Sequence, residues 1–461
     1  MKKIILFIGL IFITVQLWSQ NDKITTYFSR PVNNSVSSGT NAIYLNQLID
    51  DTLIAYINRA KYTLDFAIYS FSETAAISSI STAVNNAYAR GVVIRWINDG
   101  SSTNTALTLL NSGIRTLASP TSALYGIMHN KFMIIDANSP LEIDPIVWTG
   151  STNFTASQIN TDANNVIIIQ DKNVALAYTQ EFNEMWGGTD SIPNATNSKF
   201  GPYKTDNTSH IFNVDGTTVE IYFSPTDGSN SKLQKAIGTA NADLYFGIYS
   251  FTVSADADSI VNRIQNGVYV AGIMDPTSQL YTPYATLSAI MGTNLIKDNI
   301  TGLYHNKILI VDPSLPASDP LVFTGSHNWS ASADTKNDEN VVIVHSAKIA
   351  NIYYQSFYQN FIDEGGSLTI QDVISTQENT TKNKIYPNPC SQIVTLEIGD
   401  ASQQSNSEIR LVDVLGNSVH PSITKNNNSY VIDTQSLPVG LYFVVLKTST
   451  GTQVKKLQVV R

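Results

Sequence analysis

Residues 304–312 read Tyr304-His-Asn-Lys-Ile-Leu-Ile-Val-Asp312, and the chain runs on through Phe323-Thr-Gly-Ser-His-Asn-Trp-Ser330 to Asn337-Asp-Glu-Asn340. His305 and Lys307 stand two apart in an aliphatic run, so a strand there presents both side chains on one face. The same arrangement occurs earlier, with His129, Lys131 and Asp136, then Gly150-Ser-Thr-Asn153, then Asn164-Asn165. The copies are offset by 176 residues at the histidines (305 − 129) and by 175 at the Gly-Ser serines (326 − 151). Two copies of one chemical constellation imply one site assembled from two halves.

The flanking sequence repeats too. Leu45–Lys61 places apolar residues at three and four spacing, as an amphipathic helix does, and Phe66-Ala-Ile-Tyr-Ser-Phe71 reads as a buried strand. A helix over Leu233–Ala242 and the strand Phe246-Gly-Ile-Tyr-Ser-Phe251 are their twins, the strands offset by 180 (246 − 66). Ala75–Arg90 is a further helix ending at Gly91, and Val92–Ile97 a further strand. Strands alternating with helices give an α/β class. Two pseudo-symmetric α/β/α sandwich halves are expected at residues 42–190 and 217–365, with a shared site on the pseudo-two-fold axis. Residues 21–41 read as a loose polar lead-in and Gly187–Asp215 as a surface connection.

The two ends differ from the body. Lys2-Lys3, the apolar run Ile4–Trp18 and Ser19-Gln20 form a signal peptide over residues 1–20, too short to span a bilayer comfortably. A retained anchor is the competing reading. A linker over 366–384 leads to a separate module, 385–461, with short strands around Ile409–Val414, Tyr430–Ile432, Leu441–Lys447 and Val454–Val460. That spacing suits a small β-sandwich.

At 461 residues the chain needs two or three domains, and 43% hydrophobic with 10% aromatic residues fills their cores. The net charge of −9 is uneven: residues 21–375 hold 18 Lys/Arg against 31 Asp/Glu, a balance of −13. An acidic body is a poor non-specific partner for nucleic acid or anionic membrane. Cys390 is the one cysteine, which excludes an intrachain disulfide and disfavours thiol chemistry. The six histidines show no metal-ligand spacing, so neither metal nor other cofactor is expected.

The paired His-x-Lys-x4-Asp strings, each followed by Gly-Ser-x-Asn and then an Asn before an aliphatic strand, resemble the phospholipase D superfamily over about residues 42–362. The spacers Ala137–Thr149 and Pro313–Thr324 are longer than that pattern and read as hairpin insertions. The resemblance implies phosphodiester displacement without a metal. One histidine attacks phosphorus to form a phosphohistidine; the other protonates the leaving oxygen and then activates water. Lys131 and Lys307 would hold the non-bridging oxygens, with Ser151, Asn153, Ser326 and Asn328 completing a phosphate cradle. Asp136 and Asp312 lie seven residues past their histidines, roughly 23 Å along a strand and on its other face, so they are expected to cap strand ends.

Glu339, eleven residues after Asn328, falls where the superfamily carries its histidine-pairing acid; eleven after Asn153 stands Asn164. A carboxylate raises a histidine's basicity, whereas an amide only fixes its tautomer. Pairing within each half is expected: Asn164 orients a neutral, attacking His129, and Glu339 holds His305 protonated as the acid. Asp162 is a second candidate partner for His129. His327 either lines the pocket or packs, while His210, His345 and His420 read as surface or strand residues. Tyr69, Phe71, Tyr249 and Phe251 are expected as core at strand ends, a tyrosine being able to edge into the cleft.

The strings Ile385-Tyr-Pro-Asn-Pro389, Asp413-Val-Leu-Gly416 and Leu437-Pro-Val-Gly-Leu-Tyr-Phe443 resemble the C-terminal sorting domain of type IX secretion cargo, over about residues 383–461. This implies export across both membranes to a secreted or cell-surface location, with the tail removed or exchanged for an anchor. A carbohydrate-binding or adhesion module is the competing reading. The expected activity is phospholipid headgroup hydrolysis by a monomer, with the secretion machinery as partner. Its rivals are a secreted non-specific endonuclease of the same superfamily and a non-catalytic phosphate- or lipid-binding surface protein. Few basic residues near either motif count against the first, and intact His, Lys, Ser and Asn in both halves against the second.

Overall fold

Aliphatic runs such as Lys131–Ile135 and Lys307–Val311 are buried at every position, because their strands are covered on both faces. The computed structural model describes residues 22–368, 384–398, 408–413, 418–426, 429–448 and 451–461. The expected signal peptide, most of the expected linker and residues 414–416 lie outside the described residues.

The first sheet holds β1 (Ile24–Phe28), β2 (Thr63–Ile68), β3 (Val93–Asn98), β4 (Arg115–Ala118), β5 (Lys131–Ile135), β6 (Ile146–Gly150) and β7 (Asn165–Ile169). Their spatial order is β1-β7-β6-β5-β2-β3-β4. The second holds β8 (Ile211–Val214), β9 (Thr217–Ser224), β10 (Asp243–Ile248), β11 (Tyr269–Met274), β12 (Leu295–Lys297), β13 (Lys307–Val311), β14 (Leu321–Gly325) and β15 (Glu339–His345). Its order, β12-β11-β10-β13-β14-β15-β9-β8, repeats the first with β8 added at one edge.

The helices are α1 (Ile49–Arg59), α2 (Ile80–Ala89), α3 (Ala156–Asn160), α4 (Lys172–Trp186), α5 (Ser229–Gly238), α6 (Ser254–Gln265), α7 (Thr282–Met291), α8 (Ala331–Thr335) and α9 (Ala347–Asp363). In α1 the stripe Ile49, Leu53 and Ile57 is buried, with Asp50 and Asp51 at the N-terminal end and Arg59 in the last turn, the signs the helix dipole favours. The α1–α2 pair covers one face of the first sheet, and α5, α6 and α7 cover the corresponding face of the second. Tyr178 and Phe182 of α4 and Tyr353 and Phe357 of α9 share one core with Phe132 and Ile134 of β5 and Ile308 and Ile310 of β13. The two sheets thus face each other across α4 and α9, giving two pseudo-symmetric α/β/α halves around a common core.

Two sequence expectations are corrected. The lead-in contains β1, which pairs antiparallel with β7 and buries Ile24, Thr26 and Phe28 in alternation. The presumed surface connection contributes β8 and the fully buried Lys204, which pairs with Glu181 and Asp338. Both segments are polar by composition, so burial at alternate positions or by ion pairing left little hydropathy signal.

The motif aspartates end β5 and β13 in a left-handed turn, each with φ of 50°. Asp136 accepts backbone N–H groups from Lys61, Tyr62 and Thr63, and Asp312 from Asn241, Ala242 and Asp243. Each carboxylate therefore fixes the chain entering β2 or β10, the strand beside its own histidine strand. The hairpins beyond them carry the long spacers between β5 and β6 and between β13 and β14.

The C-terminal module is a β-sandwich of two four-stranded sheets. Val394, Leu396, Leu411, Ile432, Val444 and Leu457 fill its core with Cys390. Among the described residues no helix is long and apolar enough to cross a membrane.

Asp312→Ala should strip three amides of their acceptor and cost about 2–3 kcal/mol. Thermal unfolding followed by tryptophan fluorescence reads this selectively, since Trp96, Trp148, Trp186 and Trp329 lie in the body and the tail has no tryptophan. An unchanged midpoint would remove the structural role.

Candidate active site

Antiparallel pairing of β2 with β5, and of β10 with β13, sets Ile68 beside Lys131 and Ile248 beside Lys307. Each His-x-Lys therefore opens at the C-terminal end of the adjoining parallel strands, where β6 and β14 also end. Gly150 and Gly325 finish those strands at φ of 143° and 137°, and a Cβ on either would stand 2.2 Å from the carbonyl oxygen of Asn165 or Asn340. Only glycine permits that approach. It lets Ser151 and Ser326 donate backbone N–H to the same carbonyls, and each hydroxyl accepts the N–H of Asn165 or Asn340.

The loop before each histidine is stitched to the other half. His129 N–H donates to the Asp338 carbonyl, and Ala163 N–H donates to the Leu303 carbonyl. Asn340 Nδ2 donates to Thr149 and to Tyr178, while the Asn165 side chain joins Asn306, Thr324 and Tyr353. The two halves meet at the motif residues themselves.

This docking overturns the expected pairing of the histidines. His129 Nδ1 lies 2.8 Å from Glu339 Oε2, and His305 Nδ1 lies 3.0 Å from Asn164 Oδ1. Each imidazole takes its partner from the opposite half. The start of β15 faces the start of β5, not β13, because the halves oppose each other across α4 and α9. Asn164 consequently orients the second-half histidine. Its amide is fixed by Nδ2 donating to the Gln158 carbonyl and Oδ1 accepting from Ser151 Oγ at 2.8 Å. The Ser151 proton is spent there. Asp162 instead accepts from Gln158 Nε2 and Leu303 N–H.

Lys131 and Lys307 are almost wholly buried, and each Nζ donates to the carbonyl of its own motif histidine at 2.7 Å. Tyr69 meets the His129 ring edge-on and Tyr249 meets the His305 ring at a tilt, each at 5.0 Å between ring centres, with the lysine ammoniums 5.2 and 5.1 Å over the tyrosine rings. Tyr69, Phe71, Tyr249 and Phe251 are expected from the sequence as core at strand ends, a tyrosine being able to edge into the cleft, and both half-buried tyrosines do so. Phe71 and Phe251 are core. The amide oxygens of Asn153 and Asn328 have no partner among the described residues.

His327 is buried beside Glu339, and neither ring nitrogen has a partner among the described residues. Asn337, unremarked in the sequence, donates to Glu339 Oε1 at 3.1 Å. Asp206, His210 and Asp227 are the one described group able to offer three metal-ligand atoms, and none of them belongs to this pocket.

Burial sets the electrostatics. It pushes His129 down to about 4, helped by Lys131 and Lys307 and opposed by Glu339. Burial also pushes Lys131 down to about 7, and burial with the Lys131 charge holds Lys307 well below its ordinary value. His305 is depressed by burial, by both ammoniums and by His129, so all four groups share one field. Burial would raise the Glu339 carboxyl, but His129 and Lys131 outweigh it and keep it below its usual range. Two lysines and two histidines converge around Glu339, the one carboxylate hydrogen-bonded to a motif histidine, a charge arrangement suited to an anion.

The family described as "Cardiolipin synthase, PLD-like domain" matches residues 53–186 and 233–361, together more than half of the chain, and the "Secretion system C-terminal sorting domain" matches 384–460. A phospholipase D of Rickettsia bellii is 28% identical over 150 residues, covering 32% of this chain and 71% of that protein. The mitochondrial cardiolipin hydrolase of Drosophila melanogaster is 33% identical over 151 residues, 29% of this chain and 57% of that protein. The phosphatidylserine synthase of Haemophilus influenzae is similar in fold, with a TM-score of 0.52 at 13% identity over 75% of this chain and 87% of that one.

Asn164→Asp should raise the pKa of His305 by about one unit or more, since a carboxylate on Nδ1–H favours the imidazolium. Assigned imidazole NMR titrations test this. A shift confined to His129 would return Asn164 to its own half.

Proposed function

Because the chain belongs to the phospholipase D-like family and carries a type IX sorting tail, we propose that it is an exported phosphodiesterase acting on phospholipid headgroups through a phosphohistidine. The supporting observation is the pair of buried imidazoles, each with Nδ1 committed to an acceptor of the other half, amid two ammoniums and one carboxylate. His129 is the better nucleophile. It is neutral above about 4, it donates Nδ1–H to Glu339, and its lone pair therefore sits on Nε2. Glu339 stabilises the positive charge that grows on the ring as Nε2 bonds phosphorus, as the triad carboxylate does for its histidine.

His305 serves the leaving group. A bound phosphodiester supplies the negative charge that the site lacks, which raises the affinity of Lys131, Lys307 and His305 for protons. His305 then gives its Nε2 proton to the departing alcohol oxygen as the P–O bond breaks. In the second step it takes a proton from water attacking the phosphohistidine, releasing phosphatidic acid and restoring His129. These roles match the sequence expectation, but for a different reason. The carboxylate supports the nucleophile, and the amide leaves the acid weakly basic and therefore a ready donor.

The lipid reading is favoured over nucleic acid by the loops around the pocket. Asp99, Asp162, Asp275, Asp298 and Asp338 are buried there, Glu73 and Asp334 are half-buried, and among the described residues of these loops Lys336 carries the exposed charge. A polyanionic strand needs a basic track. None is offered here.

In parallel assays with phosphatidylcholine and plasmid DNA, turnover is expected for the lipid and is expected to vanish in His129→Ala. Rapid quenching should trap phosphate on His129; trapping on His305 would reverse the roles, and cleavage of DNA alone would replace the substrate. The profile of kcat/KM should fall as pH drops through about 4, where His129 gains a proton, and as pH rises, first where the depressed His305 of the free enzyme loses its proton and again through about 7, where Lys131 loses one.

A further inference from the structure

The loops that carry the site also carry large apolar side chains pointing to solvent. Leu280 is 90% exposed, Leu124 68%, Tyr203 50%, Tyr281 45% and Leu303 38%. Their positions follow from the fold. Leu124 lies on the loop from β4 to His129, and Leu303 on the matching loop from β12 to His305. Leu280 and Tyr281 follow β11 on a short turn anchored by Ser278, whose hydroxyl bonds the Tyr249 carbonyl at 2.9 Å and the Phe251 N–H at 3.0 Å. Tyr203 packs its ring 5.1 Å from that of Tyr125, next to Leu124. Tyr249 lies tilted against His305 and Leu303 stands two residues before that histidine, so the apolar tips rise on both sides of the pocket.

Isolated exposed apolar residues are ordinary. These differ in their surroundings. The stretches 119–128 and 276–281 contain no charged residue. At the opposite end of the first sheet the exposed Leu141 and Ile143 flank Glu142, which pairs with Lys172. There an ion pair sits among the apolar side chains, whereas at the pocket mouth the exposed charge is that of Lys336, whose carbonyl accepts the Gly126 N–H.

Resting on the phospholipid reading above, we propose that this mouth is a bilayer-docking surface, with Leu124 and Leu280 as its principal insertion points on either side of the pocket, suited to zwitterionic lipid. Charge selects the lipid class. Residues 21–375 carry 18 Lys/Arg against 31 Asp/Glu, so an anionic bilayer repels the body and the mouth has no basic cluster to offset that. Attraction must come from apolar insertion, in the manner of interfacial anchors. A lipid headgroup then meets the buried lysines without leaving the interface.

The test uses the full exported chain with phosphatidylcholine vesicles, phosphatidylglycerol vesicles and a short-chain phosphatidylcholine held below its micelle threshold. Wild type should sediment with the first and not the second. Leu124→Ser with Leu280→Ser should weaken vesicle binding and vesicle turnover at least about tenfold while leaving turnover of the dispersed lipid intact. Ile143→Ser, at an exposed apolar position at the far end, should change nothing. Undiminished vesicle binding by the double variant, or wild-type binding to phosphatidylglycerol alone, overturns the docking surface. Turnover of dispersed lipid without vesicle binding also overturns it, and leaves the substrate reading standing. Vesicle binding lost in the double variant, with no turnover of either lipid form by wild type, keeps the surface and overturns the substrate.

Discussion

Two hydrogen bonds that cross between the halves, His129 to Glu339 and His305 to Asn164, decide what the rest of the molecule must do. Neither imidazole has its orienting partner on its own sheet, so neither half holds a finished site. The shared core around Tyr178, Phe182, Tyr353 and Phe357 sets the distance between the sheets and thereby the length of those bonds. Around them, Asn165 and Asn340 fasten each sheet to residues of the other. The aliphatic strands serve this geometry by being covered on both faces, which leaves no slack between the halves.

The duplication keeps the strand order, apart from β8 added at one edge, and is broken in charge. One acceptor is a carboxylate and the other an amide, so the buried floor carries two ammoniums, two imidazoles and a single negative group. A second carboxylate would balance the lysines internally and make a monoanionic ligand less welcome. The amide at Asn164 adds no negative charge to offset the causes that depress His305 and Lys307, which are burial first and the neighbouring ammoniums second. Under the proposed mechanism binding and protonation are linked: the ligand that fills the pocket would also equip it with the proton it spends.

Much of this was legible in the residues. Repeated strings gave the two halves, the strand parity of His-x-Lys gave a common face, and the distance to Asp136 and Asp312 removed both from the chemistry. The pairing was not legible, because separation along the chain says nothing about which half a strand end faces once two sheets oppose each other. Lys204 was hidden for another reason. A lysine in a polar stretch reads as surface, and only the fold brings Glu181 and Asp338 to it. β1 escaped because Thr25 and Tyr27 alternate with its buried residues in a segment rich in Ser and Asn.

The floor of the pocket and its mouth answer different questions. A fold shared with a phosphatidylserine synthase at 13% identity means that this arrangement of sheets does not itself choose a substrate. On the reading proposed above, the floor would recognise a phosphodiester by charge, whatever was esterified to it. Choice among phosphodiesters must then arise where the halves differ, in the loops following β3, β4, β11 and β12. Those loops bury their carboxylates, using Asp99 and Asp275 to hold the backbone N–H groups of Met128 and Tyr304 just before each histidine. The acids that shape the approach to the site are thus withdrawn from its surface. A polyanion meets no attraction there, and an uncharged interface meets no penalty.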